Sequence, residues 1–145
     1  GERLTVIVGD FQTTASGPEA AAVRLAMADH VRALVEESRL AEPGSGIVVM
    51  GDLADVEDSA PLQRLSAGLL QDLHGRVPAE RPYTTVAQGV SLATDYVLVD
   101  GALASRVSEV RALHVNVDWA HPAPGAYPAA ASPVGQATPV PPMPQ

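Results

Sequence analysis

The chain has 145 residues and a net charge of −8; its nine basic residues are all arginine, and it has neither lysine nor cysteine. That composition excludes a P-loop lysine, a Schiff-base lysine, disulfides and thiolate metal sites. It also argues against nucleic-acid binding by this chain alone, because counterion release needs several cations on one face and the sequence holds no arginine cluster.

Hydrophobic residues make up 46% of the chain but aromatics only 3%, so the core must be aliphatic. Residues 4–8 are β-branched, end at Gly9-Asp10 and predict a buried strand. A polar loop over 12–18 leads to a helical pattern from Glu19 to about Leu40. There Val23, Met27, Val31, Leu34 and Val35 share one stripe, and Pro43-Gly44-Ser45-Gly46 stops the helix. Residues 47–50 predict a second buried strand, ending in Gly51-Asp52. Ser59-Ala60-Pro61 is a helix start, with a capping hydroxyl and a first-turn proline, and Leu62, Leu65 and Leu69 mark its apolar face. Residues 83–87, 95–99 and 107–117 predict three more strands, separated by breaks at Gln88-Gly89 and Asp100-Gly101.

After Trp119 the composition turns to Ala and Pro, which lacks the periodicity needed to pack and predicts a disordered tail over 121–145. Residues 1–120 then form one α/β (α+β) unit, a mixed β-sheet with helices on one face. The longest apolar runs, such as Ile47-Val48-Val49-Met50, are too short to span a bilayer. No signal peptide precedes the first strand, and the abrupt start reads as that of a fragment.

Three strings come in a telling order: Val6-Ile7-Val8-Gly9-Asp10-Phe11-Gln12-Thr13, Val48-Val49-Met50-Gly51-Asp52-Leu53-Ala54-Asp55 and Ser91-Leu92-Ala93-Thr94-Asp95-Tyr96-Val97-Leu98-Val99. Together with Pro78-Ala79-Glu80-Arg81-Pro82-Tyr83-Thr84 and His114-Val115-Asn116-Val117-Asp118, they resemble the later motifs of the endonuclease/exonuclease/phosphatase superfamily, the relatives of DNase I. The closest likeness is to its bacterial, often exported members, which implies a secreted or cell-envelope location. The resemblance covers roughly residues 3–120. It implies a Mg²⁺-dependent phosphodiesterase or phosphomonoesterase fold of two packed sheets flanked by helices. A complete domain of that kind is about twice this size, and its metal-binding Glu would lie before Gly1.

Metal-assisted phosphoester hydrolysis needs a carboxylate on Mg²⁺, a base that orients water, and donors for the phosphoryl charge. Where the family's first strand here ends Asn-His, this chain has Gly9-Asp10, so Asp10 puts a negative charge at a substrate-binding position. Where the family has Gly-Asp-Phe-Asn-Asp, this chain has Gly51-Asp52-Leu53-Ala54-Asp55. Asp52 matches the acid that orients the attacking water, and Asp55 matches the closing acid. Ala54 replaces the phosphate-contacting Asn, and a methyl group cannot hydrogen-bond. In Thr94-Asp95-Tyr96, Asp95 matches while Tyr96 takes the place of a His. The counterpart of the terminal Ser-Asp-His-Asp-Pro is Ser132-Pro133-Val134, without acid or imidazole. Asp52 and Asp95 are therefore the catalytic candidates, Asp10 and Asp55 the substrate-binding ones. No metal ligands are assigned, and Mg²⁺ enters only if the chain is active.

Each aspartate also has a plainer reading. Asp52 can cap a turn, Asp95 can bind loop backbone, and Asp55, Glu57 and Asp58 can form a solvated acidic loop. His30 and His74 are expected at the surface or in a loop, and His114 in a packing or hydrogen-bonding role. Three functions follow. The chain is a degenerate, inactive phosphoesterase-like module with a structural or interaction role. Alternatively it is the C-terminal portion of an active enzyme, or a small acidic protein-binding domain outside the family. Each reading expects a partner, the missing N-terminal half or another chain, on the open face of the sheet.

Overall fold

Two β-branched runs, Leu4–Asp10 (β1) and Gly46–Asp52 (β2), pair in parallel in the computed structural model, which describes residues 2–12, 17–80, 82–87 and 90–114. A parallel pair needs a crossover, and the 25-residue helix Gly17–Ala41 (α1) supplies it. Gln71–Asp72 (β3), Thr85–Ala87 (β4), Val90–Leu92 (β5) and Asp95–Val99 (β6) follow, with a short helix Ala60–Ser66 (α2) before β3 and a single turn Gly101–Ala104 (α3) after β6. β6 runs antiparallel to β2 and β3 antiparallel to β6, giving a mixed sheet of order β1-β2-β6-β3. The fold is α+β, as expected.

The two-residue period of the strands decides which side is buried. Ile47, Val49, Tyr96 and Leu98 point to one face, where α1 lays down Ala28, Val31 and Val35 and α2 lays down Leu62 and Leu65. Val35, Val49, Leu53 and Leu98 have no exposed surface at all. Each such side chain contributes about 1.5–3 kcal/mol by leaving water.

The opposite face is only partly covered. Leu103, Ala104, Val107 and Val110 close over Val48, Leu73 and Val99 at one side. Leu4, Val6 and Val8 of β1, Met50 of β2 and Val97 of β6 remain exposed, Val8 to 73%. Among the described residues no helix is long and apolar enough to cross a membrane.

Several expectations need correction. The run 83–87 does not join the main sheet; β4 pairs with β5 in a separate two-stranded ladder. The edge position goes instead to the two-residue β3. The expected strand over 107–117 is irregular backbone in its described part, 107–114. Its apolar residues Val107, Val110 and Leu113 recur every third position, which does not fit a strand, and the first two serve as anchors on the sheet. Ser59 precedes α2, but its side chain caps nothing and its buried Oγ has no partner among the described residues. The Gln63 N–H makes the ordinary first helical bond to the Ser59 carbonyl at 2.9 Å, and the Gln63 side-chain amide donates back to the Asp58 carbonyl at 2.9 Å. The helix also ends at Ser66, before Leu69. The 121–145 tail, with His121 and Ser132, lies outside the described residues.

Candidate functional site at the strand ends

The two ladders bring three of the candidate aspartates into one row. In the parallel register Asp10 stands opposite Asp52, and in the antiparallel register Asp52 stands opposite Asp95. The preceding row, two residues back on the same face, is Val8, Met50 and Val97. The carboxylates therefore prolong the open apolar face at one end of the sheet. This alignment requires glycine at position 51. Its φ is +138°, and a Cβ there would collide with the Gly9 carbonyl oxygen.

Local hydrogen bonds turn these carboxylates toward backbone. Asp10 Oδ1 accepts from the Gln12 N–H at 3.0 Å, and Asp52 Oδ1 from the Ala54 N–H at 2.8 Å. Both are side-chain turns of the kind Asp forms at strand ends. The Gln12 side-chain amide donates to Asp52 Oδ2 at 3.0 Å and ties the two loops together. Asp10 and Asp95 are exposed, and Asp52 is half-buried. Among the described residues the Asp95 carboxylate receives only a long contact from Thr94 Oγ1, at 3.4 Å. The Asp95 and Thr94 N–H groups both donate to Thr84 Oγ1, each at 3.1 Å.

Asp55 sits apart from the row. Arg24 of α1 donates through Nε to Asp55 Oδ2 at 3.0 Å, with both side chains mostly covered. The pair bolts the acidic loop to α1. Tyr96 points the other way from Asp95, into the core, where it is 2% exposed. Its hydroxyl donates to the Ala93 carbonyl at 2.9 Å, and its ring meets His74 edge-on at 5.4 Å. Burial, with Asp72 and Glu57 nearby, holds the phenol proton well above its ordinary range.

Ala54 adopts φ +48°. That is left-handed backbone, in which a β-carbon costs roughly 1–2 kcal/mol and which Asn visits more readily than Ala. The methyl group thus occupies a conformation that suits the residue type it replaces in the resemblance.

None of the described histidines hydrogen-bonds a carboxylate of the row. His30 is exposed on α1, and His74 sits in the single 3₁₀ turn His74–Arg76. His114 shares a 2.7 Å hydrogen bond through Nε2 with the Tyr83 carbonyl and stacks on the Tyr83 ring at 4.3 Å. Among the described residues no three His, Asp or Glu side chains form a group that could hold a metal ion. Each oxygen of the half-buried Asp52 already accepts one N–H, which leaves one lone pair on each for a cation.

Beside Asp10, between the end of β1 and α1, lies an apolar cleft of about 470 Å³ lined by Phe11, Val23, Met27 and His30. Gln12, Thr84 and Arg24 shape the site and were not among the sequence candidates. Only Gln12 carried a signal, its place two residues after a strand-end Asp. No protein-family model matches this chain, and no curated protein matches it.

Proposed function

We propose that this chain is a degenerate phosphoesterase-like module, without hydrolytic activity of its own, that acts as a structural or interaction domain. The observation that carries the reading is Ala54: a left-handed backbone suited to Asn, within the turn that Asp52 caps, now bearing a methyl group. The in-register row Asp10–Asp52–Asp95 supports the kinship, since the three motifs that resemble the family meet at one sheet end. The loss of function rests on chemistry. Asp10 offers charge where a donor is needed, Ala54 offers none, and Tyr96 faces the core. An interaction role is favoured by the aliphatic face that adjoins the row.

The test is hydrolysis of plasmid DNA and of bis(p-nitrophenyl) phosphate by the purified chain with Mg²⁺ or Mn²⁺. The expected rate is that of buffer, identical in wild type and Asp52→Ala. Metal-dependent turnover abolished by Asp52→Ala would overturn the inactive reading.

A second reading, an active phosphodiesterase completed by a segment outside this chain, is favoured by the exposure of Asp10 and Asp95 at the rim of the open face. It requires turnover to appear when a polypeptide carrying that segment is added, and to vanish again in Asp95→Ala.

A further inference from the structure

At the end of the sheet away from the aspartate row lies a larger cavity, of about 950 Å³. Its walls are aliphatic: Leu4 and Val48 from the sheet, Val99 from the end of β6, Leu103 from α3 and Val107 beyond it. Three arginines line it as well, Arg3, Arg39 and Arg106. They are a third of the nine cations in a chain of net charge −8, and Glu2, Glu42 and Asp100 stand beside them.

The three differ in how they are held. Arg3 pairs with Glu42 at 2.7 Å and Arg106 with Glu2 at 2.9 Å, and the side chains of both pairs are largely exposed. Pairs of that kind contribute little and exchange readily for another anion. Arg39 is half-buried and has no carboxylate within ion-pair distance among the described residues; its hydrogen bond goes to the Leu69 carbonyl at 3.4 Å. Asp100 also borders the cavity, but its oxygens accept from the Ile47 N–H at 2.5 Å and the Leu103 N–H at 2.9 Å. Its carboxylate is committed to backbone.

A cavity of this volume, with aliphatic walls and a set of charged groups among them, has the form of a small-molecule site. We infer that it binds an amphipathic organic monoanion, a carboxylate on an aliphatic body, with the carboxylate on Arg39 and Arg106 and the chain along Leu4, Val48 and Val107. A guanidinium meets a carboxylate through paired donors. Arg3 and Arg106 already face Glu42 and Glu2, so among the described residues Arg39 is the one guanidinium of the three without an ion pair, which favours a single negative charge over a phosphate dianion. The inference is independent of any phosphoesterase kinship.

The experiment is calorimetric titration of the full chain with dodecanoate, below the concentration at which it forms micelles, and with dodecanol as the uncharged comparison. Saturable binding at one site is expected for dodecanoate, at least about tenfold tighter than for dodecanol. Arg39→Gln should weaken it about tenfold, the scale of one charge-assisted hydrogen bond. Because Arg39 also faces Asp100, the exposed Arg106→Gln is the second variant, expected to weaken binding several-fold while the circular dichroism spectrum stays unchanged. Val8→Lys, on the open face outside the cavity, should leave the affinity as it was. Absence of saturable binding, equal affinity for acid and alcohol, indifference to both arginine changes, or loss on Val8→Lys would each overturn the assignment.

Discussion

Ala54 is where one side chain and its backbone disagree most plainly. A φ of +48° is tolerated by Gly and Asn and costs an alanine roughly 1–2 kcal/mol. Ala54→Gly and Ala54→Asn should therefore both stabilise the fold, by about 0.5–1 kcal/mol, read as a higher denaturant midpoint at unchanged slope. Destabilisation by both would mean that the methyl group is needed where it lies, beside the core.

Asp100 carries the opposite lesson. It is 5% exposed, and burial alone would raise its pKa. The N–H groups of Leu103, Ile47 and Ala102, with Arg39 beyond them, outweigh that and hold the carboxyl below its usual range. A depressed carboxyl stabilises the fold above its unfolded pKa, near 3.9, and the benefit is lost as pH falls through the lower folded value. Asp100→Asn should cost about 1–3 kcal/mol at neutral pH and flatten the fall in stability below about pH 4, measured by thermal unfolding across pH. Asp72 works against it, because burial raises its carboxyl, so its ionisation costs stability at neutral pH. Neither shift was legible in the sequence. Asp100-Gly101 read as a chain break, and only the tertiary fold brings the Ile47 N–H to it.

At the scale of elements, the sequence was most informative where one physical period dominated. Val31 and Val35 share the α1 stripe, and α1 runs Gly17–Ala41 against an expectation of Glu19 to about Leu40. β1 and β2 were legible as strands from short β-branched runs that end in Gly-Asp, but β1, expected to be buried, has no buried residue because one of its faces is left open. Reading failed where pairing depends on distant partners. β3 is two residues held by β6, too short to carry a period, and nothing in residues 83–87 shows that they pair locally rather than join the sheet. The cap of α2 failed for another reason. Ser59 has the right residue type, but Pro61, at the second helical position, has no N–H to donate to it. Replacing a working Ser cap by Ala costs about 1 kcal/mol. Here Ser59→Ala should be neutral or stabilising by up to about 1 kcal/mol, because a buried hydroxyl without a partner is removed. A loss of 1 kcal/mol or more in chemical denaturation would show that the hydroxyl caps the helix after all.

At the scale of the molecule, the two faces of the sheet set the behaviour of the chain. One is sealed by α1 and α2; the other leaves Leu4, Val6, Val8, Met50 and Val97 in water, and the strand-end carboxylates border them. That exposure was foreseeable from the sequence, because β-branched runs with too few helices to cover both sides leave one side bare. The row of aspartates at its end was not read from the sequence, since strand order sets which strand ends meet. An aliphatic face of this kind favours association, and charge placed at its most exposed point should oppose association without harming the fold. Val8, at 73% exposed on edge strand β1, is that point. Wild-type chain should take up an apolar dye and show mass above the monomer by light scattering at high concentration. Val8→Lys should reduce both, with an unfolding midpoint shifted by no more than about 0.5 kcal/mol, the ordinary range for surface changes. A dye-free monomer in the wild type would mean that this face is covered, and the interaction role proposed for the chain would lose its surface.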